Sequence, residues 1–297
     1  MSKDPAATPD SLSPTELHQL FQRHGFRPRR ALGQTFLIDA NTVRRIVASA
    51  ELTGDEPVLE VGAGAGAVTR GLMTAARRVI AVEIDPTLVA ILQETVGERV
   101  QVVQADLLDV DWAGLFGPED KGRWRVVANL PYAITGPALF RLSETREWAE
   151  RLVIMVQAEV ARRLAAPPAS RARGILSVLL QVLFDVNVAA GVPRTCFWPR
   201  PRVDSTILTL NVRRPSLLPH ALEPAFRRVI RAAFGTRRKT LANALAGSPE
   251  MTVSKADVLA ILSHCGVDHS RRAESLTEQE FLRLAEAIAR HQGKLSE

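Results

Sequence analysis

The chain has 297 residues, of which 46% are hydrophobic and 24% charged, the composition of an ordinary globular protein of about two domains. Its 38 basic residues against 32 acidic ones give a net charge of +6, a modest surplus that suits a polyanionic partner. No apolar run reaches the roughly 18 residues of a membrane span, and the polar, Pro-rich residues 1–14 lack the apolar core of a secretory signal.

The first predicted elements are two helices that precede the main pattern of the chain. One helix begins near Pro14 and the other covers residues 39–51. A basic, turn-prone stretch over residues 27–34 separates them. We therefore assign residues 1–25 to an N-terminal tail and helix outside the central domain.

From residue 57 onward, short β-branched apolar runs alternate with helical stretches. Five predicted strands cover residues 57–61, 79–83, 100–104, 125–128 and 152–156. The helices that follow them cover residues 66–76, 86–96, 134–145 and 157–165. This alternation is typical of βαβ units around a parallel sheet that is covered on both faces.

The predicted sheet ends with two further strands after an apolar helix over Ile175–Leu183. The runs at 184–190 and 203–212 are interpreted as a pair of antiparallel edge strands that close the sheet. The fold class is thus α/β, with a seven-stranded, Rossmann-like sheet inside a domain over residues 26–214.

Beyond Pro215 the pattern is helical only. Four helices are predicted over residues 221–234, 237–246, 254–264 and 277–291. We assign residues 215–297 to a small all-α C-terminal domain.

A glycine-rich turn over residues 60–66 lies between the first parallel strand and its helix. Gly62 and Gly64 let the backbone approach a ligand, and Glu83 at the end of the second strand can accept hydrogen bonds from both hydroxyls of a ribose. The spacing is GxGxG rather than the GxGxxG of dinucleotide sites. The pattern therefore indicates a nucleoside cofactor without specifying which one, although a purely structural turn is the alternative.

Another acidic residue, Asp106, follows the third predicted strand. A carboxylate at this place suits a hydrogen bond to the adenine amino group of a bound cofactor. It suits equally well the N-cap of a helical segment over residues 107–116. The sequence leaves both roles open.

The segment Asn129-Leu130-Pro131-Tyr132 directly follows the fourth predicted strand. The exocyclic nitrogen of adenine is a poor nucleophile because its lone pair is delocalised into the ring. The Asn129 side-chain oxygen and the Leu130 carbonyl oxygen can accept its N–H bonds and help it become tetrahedral. Pro131 stiffens the turn, and the Tyr132 ring can stack on the base, a contact worth about 1–3 kcal/mol. An ordinary N-x-P turn is the alternative for an isolated match.

Several separate blocks carry a resemblance to one family. In chain order they are Leu32-Gly33-Gln34-Thr35-Phe36-Leu37, the glycine-rich turn, Glu83-Ile84-Asp85, Gln104-Ala105-Asp106, Asn129-Leu130-Pro131-Tyr132, Phe197-Trp198-Pro199-Arg200-Pro201-Arg202-Val203-Asp204-Ser205 and Phe234-Gly235-Thr236-Arg237-Arg238-Lys239-Thr240-Leu241. Over about residues 26–290 the chain resembles the bacterial 16S ribosomal RNA adenine dimethyltransferases, the KsgA/RsmA family.

The resemblance implies a class I methyltransferase core that uses S-adenosylmethionine as methyl donor. It implies dimethylation of two adjacent adenosines in the 3′-terminal hairpin loop of 16S rRNA, within precursors of the small ribosomal subunit. It also implies that cofactor contacts come from Thr35, Leu37, Gly62, Gly64, Glu83, Asp106 and Asn129. The family usually has Asn where this chain has Thr35, which replaces an amide with a hydroxyl and puts that contact in doubt.

Basic and aromatic residues near the second half of the chain are candidates for RNA binding. The aromatic pair Phe197 and Trp198 lies in a Pro-rich loop, where it can pack on the target base if exposed or plug the loop if buried. The basic candidates are Arg200, Arg202, Arg237, Arg238 and Lys239. Single-stranded loops with splayed bases are the usual target of sequence-specific RNA readers, although charge runs are more often solvated faces.

Metal binding is not expected. The two cysteines are far apart, and the six histidines have no metal-ligand spacing. Two unpaired cysteines fit a reducing cytoplasm, where we expect the protein to act as a monomer.

Three other functions compete with this interpretation. The nearest is an enzyme that methylates an adenine of large-subunit rRNA and confers macrolide resistance, but the blocks at 197–205 and 234–241 favour the small-subunit enzyme. A second is a non-catalytic factor that binds ribosomal precursors, against which the intact Asn129–Tyr132 segment argues. A dehydrogenase is the third and fits the motifs least well.

Overall fold

A computed structural model of the protein describes residues 12–29, 33–117, 120–236 and 238–293. The chain forms two compact units. The first consists of Met1–Ala161 and Asn187–Val212, and the second of Arg162–Val186 and Arg213–Glu297.

The first unit is built around a seven-stranded sheet, as the alternating pattern predicts. The strands in chain order are β1 (Phe36–Leu37), β2 (Pro57–Val61), β3 (Arg78–Glu83), β4 (Gln101–Gln104), β5 (Trp124–Asn129), β6 (Ala149–Gln157), β7 (Phe184–Val192), β8 (Phe197–Trp198) and β9 (Ser205–Val212). The spatial order of the large sheet is β4-β3-β2-β5-β6-β9-β7.

The helices of the first half of the chain follow these strands. They are α1 (Pro14–Arg23), α2 (Ala40–Ser49), α3 (Ala67–Ala75), α4 (Pro86–Val96), α5 (Trp112–Leu115), α6 (Thr135–Glu144) and α7 (Ala158–Leu164). Asp85 caps α4 by accepting hydrogen bonds from the Thr87 and Leu88 N–H groups at 2.9 and 3.3 Å, and a proline fills the first helical position.

The centre of the sheet is parallel and buried. All five residues of β2 are buried, and β2 pairs in parallel with β3 on one side and β5 on the other. A strand covered on both faces needs apolar side chains in both directions, which explains its continuous apolar run. Because parallel strands end at the same edge, the turns after β2, β3, β4 and β5 meet there.

The runs near 184–190 and 203–212 form neighbouring strands at one end of the sheet, as the sequence predicts. β9 is the inner strand of this pair and lies between β6 and β7. It pairs antiparallel with β6 along its whole length, from Ser205 opposite Gln157 to Asn211 opposite Arg151. Only β7 occupies the edge, and its largely exposed side chains fit that position.

A two-stranded sheet was not predicted. β1 pairs antiparallel with β8, which places Phe36 opposite Trp198 and Leu37 opposite Phe197. Two-residue strands give too little periodicity to be recognised in a sequence. This pairing joins residues 36–37 to the Pro-rich loop, far away along the chain.

The second unit is helical. Its helices after α7 are α8 (Ile175–Leu183), α9 (Glu223–Phe234), α10 (Leu241–Ala246), α11 (Lys255–His264) and α12 (Glu278–His291). Arg173 is fully buried there and forms an ion pair with Glu278 and hydrogen bonds with Gln181 (2.7 Å) and the Ala166 carbonyl (3.0 Å). These contacts group residues 162–186 with the C-terminal helices, whereas the predicted boundary at 214 places them with the sheet.

Candidate active site

The glycine-rich turn links β2 to α3 through backbone that only glycine adopts easily. Gly62, Gly64 and Gly66 have φ angles of 73°, 58° and 90°. A Cβ atom on Gly62 would lie 3.2 Å from the Asn129 carbonyl oxygen, and one on Gly66 would lie 2.9 Å from Leu92 Cδ1. The glycines therefore permit a left-handed turn and the close approach of the turn to β5.

Glu83 ends β3 and supports this turn. Its carboxylate accepts hydrogen bonds from the N–H groups of Gly64 (2.9 Å), Ile84 (2.9 Å) and Asp85 (3.0 Å). Burial raises the pKa of Glu83, and these hydrogen bonds oppose the shift. A carboxylate has about four lone-pair sites, so the backbone leaves about one free. The sequence predicted that Glu83 accepts hydrogen bonds from both ribose hydroxyls, but the carboxylate has about one acceptor site left for them.

Glu60 is a second buried carboxyl beside the turn. It is 3% exposed, and its Oε2 atom has no hydrogen-bond partner among the described residues. Burial raises the pKa of Glu60 to about 8, with the Thr69 hydroxyl lowering it and the Glu83 carboxylate raising it further. At pH 7 this raised pKa favours the protonated, uncharged form of Glu60. The sequence signal for it was a single acidic residue inside the apolar run Pro57–Val61, to which we assigned no role.

Asp106 caps a turn and lines the cleft, so its predicted role as the N-cap of a helix over 107–116 is wrong and its contact with the cofactor stays a prediction. Its Oδ1 atom accepts a hydrogen bond from the Leu108 N–H at 2.8 Å, which caps a turn rather than the expected helix. The next helix, α5, begins only at Trp112 and is capped by Asp111. Asp106 also lines the cleft described below, where its second carboxylate oxygen is available to a ligand.

Asn129, Leu130 and Pro131 bring a set of acceptors to the end of β5. Leu130 donates its N–H to the Met155 carbonyl at 3.2 Å. The carbonyl oxygen of Leu130, in contrast, accepts no hydrogen bond from a described backbone group. Pro131 continues in extended conformation (φ −57°, ψ 134°). Asn129 is half-buried, and its side chain makes no hydrogen bond to a described residue. The arrangement leaves one amide oxygen and one carbonyl oxygen available to a ligand.

These parts meet in one cleft of about 300 Å³ at the carboxyl ends of β2 to β5. All seven predicted cofactor-binding residues line it, namely Thr35, Leu37, Gly62, Gly64, Glu83, Asp106 and Asn129. Of the predicted catalytic segment, Leu130 and Pro131 line it as well, whereas Tyr132 does not. The structure thus places the strand-end motifs around a single cavity, the geometry of ligand sites in open α/β sheets.

Sequence reasoning missed several apolar residues of the cleft. Ile84 is 57% exposed although it is large and apolar, and Leu17 reaches the cleft from α1. The signal for Ile84 was its position directly after Glu83, at the end of a strand. No local signal identified Leu17, because it also fits the buried face of an amphipathic helix.

The aromatic pair of the Pro-rich loop is not exposed as a pair. Phe197 is 3% exposed and packs with Leu37 in the core, so its predicted contact with RNA is wrong for this conformation. Trp198 is half-buried, with its ring centroid 6.1 Å from that of His18 and 6.0 Å from that of Phe21. The hydrophobic plug, which the sequence left open, is what the structure contains.

The predicted basic residues are exposed where they are described. Arg200 and Arg202 lie in the loop between β8 and β9 of the first unit. Arg238 and Lys239 belong to the second unit, and Arg237 lies outside the described residues. Their binding to RNA stays a prediction.

The described part of the chain offers neither a metal centre nor a membrane span. No group of three His, Cys, Asp or Glu side chains among the described residues could hold a metal ion. Nor is any described helix long and apolar enough to cross a membrane.

Known proteins resemble most of the chain. The family model described as ribosomal RNA adenine dimethylase matches residues 25–290. The ribosomal RNA small subunit methyltransferase A of Pelotomaculum thermopropionicum is 40% identical over 285 residues, which cover 93% of this chain and 96% of that protein. A dimethyladenosine transferase structure from Plasmodium falciparum has a TM-score of 0.69 at 24% identity and covers 84% of this chain and 95% of its own. The structure of the 23S rRNA methyltransferase ErmE has a TM-score of 0.63 at 30% identity, and the match covers 85% of this chain and 99% of the ErmE chain.

Proposed function

The chain belongs to the ribosomal RNA adenine dimethylase family, and from this premise we propose that it dimethylates two adjacent adenosines in the 3′-terminal hairpin loop of 16S rRNA. S-adenosylmethionine is the methyl donor, and precursors of the small ribosomal subunit are the substrate. The observation that carries the proposal is the pair of free acceptors, Asn129 Oδ1 and the Leu130 carbonyl oxygen, at the edge of the cleft.

The residues of the cleft fit S-adenosylmethionine. Gly62 and Gly64 let the backbone approach the donor closely, and Glu83 has one acceptor site left for a ribose hydroxyl. The free oxygen of Asp106 suits the adenine amino group, and the exposed Ile84 side chain offers an apolar contact to the adenine ring. When bound, the donor supplies a methyl group on a positively charged sulfur.

The chain's own contribution to methyl transfer is orientation and hydrogen bonding. Asn129 Oδ1 and the Leu130 carbonyl oxygen accept the two N–H groups of the target amine, which draws its lone pair out of conjugation and towards the methyl group. Acceptors fixed before the reaction cost no reorganisation at the transition state. No general base is needed, because the amine becomes acidic once it has attacked. After one transfer the nitrogen keeps one N–H, so a second transfer is possible.

The small subunit is favoured over the large one as substrate. The chain is 40% identical to a relative named for the small subunit and 30% identical to a 23S rRNA methyltransferase. The exposed residues Arg200 and Arg202 on one unit, and Arg238 and Lys239 on the other, are the proposed RNA contacts. Trp198 is the remaining aromatic candidate. We place the enzyme in the cytoplasm as a monomer.

The test is methyl transfer to purified ribosomal subunits. Small subunits from cells that lack the modification are incubated with the enzyme and tritiated S-adenosylmethionine, and the labelled bases are mapped. We expect N6,N6-dimethyladenosine at two adjacent positions of 16S rRNA and no label in large subunits. Label only in 23S rRNA, or none at all, contradicts the proposal.

Glu83→Gln is expected to weaken the affinity for S-adenosylmethionine about 10- to 100-fold, because a charge-assisted hydrogen bond is worth about 1.5–3 kcal/mol. The amide also replaces one of the two acceptor oxygens with an NH2 group, which then faces either the Gly64 N–H or the Ile84 and Asp85 N–H groups. Isothermal titration calorimetry measures the effect, with the exposed Glu98→Gln as the matched control. Equal affinity of the Glu83→Gln variant and the wild type would show that this carboxylate does not bind the donor.

A further inference from the structure

A buried hydroxyl lies behind the proposed catalytic tyrosine. The phenolic oxygen of Tyr132 is 2.9 Å from Ser205 Oγ, and either atom can be the donor. Ser205 is 2% exposed, whereas Tyr132 is half-buried. The bond joins the segment after β5 to the first residue of β9, which the chain separates widely. It links two of the blocks in which the family resemblance was recognised.

Ser205 is held firmly by the sheet. It stands opposite Gln157 in the antiparallel pairing of β9 with β6. The residue before it, Asp204, accepts the Ala158 N–H with its carbonyl at 3.0 Å and the Arg194 N–H with its carboxylate at 2.9 Å. A hydroxyl fixed in this way is a rigid anchor for whatever it binds.

Tyr132 itself has few other anchors. Its backbone carbonyl accepts a hydrogen bond from the Thr135 hydroxyl at 3.3 Å, and its own segment is a single 3₁₀ turn. Burial raises the pKa of the phenol, against the effect of the Ser205 hydrogen bond and of the Thr35 hydroxyl. The phenol therefore stays protonated across the working pH range and can donate to Ser205.

We propose that Ser205 is a positioning residue that fixes the ring of Tyr132 against the target adenine, and that its loss slows the second methyl transfer more than the first. This inference rests on the proposed function and on the sequence prediction that the Tyr132 ring stacks on the target base, although Tyr132 is adjacent to the residues that line the cleft rather than one of them. It assigns a role to a residue that lies outside the cleft and touches neither donor nor adenine.

The two transfers depend differently on the ring. In the first, the amine presents two N–H groups, which Asn129 and the Leu130 carbonyl can orient together. In the second, only one N–H remains and a methyl group occupies the other place, so hydrogen bonds define the orientation less well. The orientation of the monomethylated base then depends more on its contact with the Tyr132 ring.

The second step itself is an ordinary substitution. The lone pair of the monomethylated nitrogen forms the new N–C bond, while the C–S bond of the sulfonium breaks and its electron pair goes to sulfur. The nitrogen becomes positively charged and releases its last proton to water. Ser205 takes no part in this exchange and acts through Tyr132 alone.

The experiment measures the ratio of monomethylated to dimethylated adenosine by mass spectrometry of rRNA digests at limited turnover. Ser205→Ala and Tyr132→Phe remove the same hydrogen bond from its two ends. Each is expected to raise the ratio about two- to tenfold, the range for one net hydrogen bond. The double variant is expected to raise it no further, because the two residues act as one unit.

The control is Thr209→Val on the same strand, a buried hydroxyl at 6% exposure that faces Val153 in the register of β6 and β9. It should leave the product ratio at the wild-type value. If Ser205→Ala fails to fold, Tyr132→Phe decides alone. Wild-type ratios in folded variants overturn the inference, whereas a wild-type enzyme that methylates no 16S rRNA overturns the proposed function instead.

Discussion

Asn129→Ala is expected to abolish methyl transfer while leaving most of the affinity for S-adenosylmethionine. The variant loses the amide oxygen that we propose as acceptor for an N–H of the target amine, so the lone pair should stay delocalised in the adenine ring. Loss of one preorganised hydrogen-bonding group at a transition state costs about 10²–10³-fold in kcat. Most of the predicted donor contacts lie at the ends of β2, β3 and β4, which the substitution does not touch.

The measurement combines single-turnover methyl transfer to small subunits with calorimetry of donor binding. Asn211→Ala is the matched control, because Asn211 is a half-buried asparagine on β9 at the opposite end of the strand from Ser205. It should transfer methyl groups at the wild-type rate. Wild-type turnover by Asn129→Ala would refute the role of Asn129 as an acceptor.

The same variant separates catalysis from a second role in ribosome assembly. A chain that binds precursors but transfers no methyl group should fail to complement a deletion strain if catalysis is its only function. Full complementation by the inactive Asn129→Ala variant would instead assign the essential role to binding. The rRNA of the complemented strain, analysed for dimethyladenosine, verifies that the variant is inactive in the cell.

The parts of the fold predicted correctly are those with strong local signals. Helix α4 was predicted over residues 86–96 and covers Pro86–Val96, because Asp85 and Pro86 mark its start and apolar residues recur along one face. The strands β2 and β3 were found through their continuous apolar runs. Once these strands are placed side by side, the polar residues at their ends must meet at one edge.

The errors concern contacts between distant parts of the chain. The order of the last two strands was not predicted, since nothing local shows that β9 is the inner strand and β7 the outer one. The sequence named Phe197 as an RNA-binding candidate and left open whether its ring is exposed or plugs the loop. Its burial follows from the pairing of β8 with β1, which a sequence does not display.

Buried polar residues were the hardest to interpret. Glu60 was visible as an acidic residue in an apolar strand, but its neutral state depends on the burial of the whole strand. The hydrogen bond between Tyr132 and Ser205 joins residues that are 73 positions apart. Sequence motifs therefore marked the two segments that contain these residues, and only the packing revealed the hydrogen bond between them.

Glu60→Gln is expected to remove a large pH dependence of stability. The pKa of a glutamate carboxyl is ordinarily 4.5, whereas that of Glu60 is about 8 in the folded chain, so between these values the folded state keeps a proton that the unfolded state releases. Stability then falls as the pH rises, by about 1.4 kcal/mol per pH unit for one such group. This contribution is fully present below pH 4.5 and is lost progressively as the pH rises towards 8.

Glutamine is neutral at every pH and resembles the protonated carboxyl in shape. Its contribution to the free energy of unfolding therefore does not vary with pH. The difference in unfolding free energy, variant minus wild type, should therefore rise steadily between about pH 5 and 8. Urea unfolding at a series of pH values measures it. A flat difference over this range would mean that Glu60 is ionised in the folded protein.

Glu56→Gln is the control for this slope, because the two carboxyls lie close together in the sequence and their pKa values shift in opposite directions. Burial alone would raise the pKa of Glu56, but hydrogen bonds from the Thr53 backbone and hydroxyl, aided by the Arg125 charge, lower it below 4.5 overall. Glu56 is thus ionised in both states above about pH 5, and its substitution shifts stability by the same amount at every pH from about 5.5 to 8. If the difference in unfolding free energy depends on pH only for Glu60→Gln, the effect belongs to the buried carboxyl beside the glycine-rich turn. A bound donor with a positive charge should make that dependence weaker, because it favours the ionised form of Glu60.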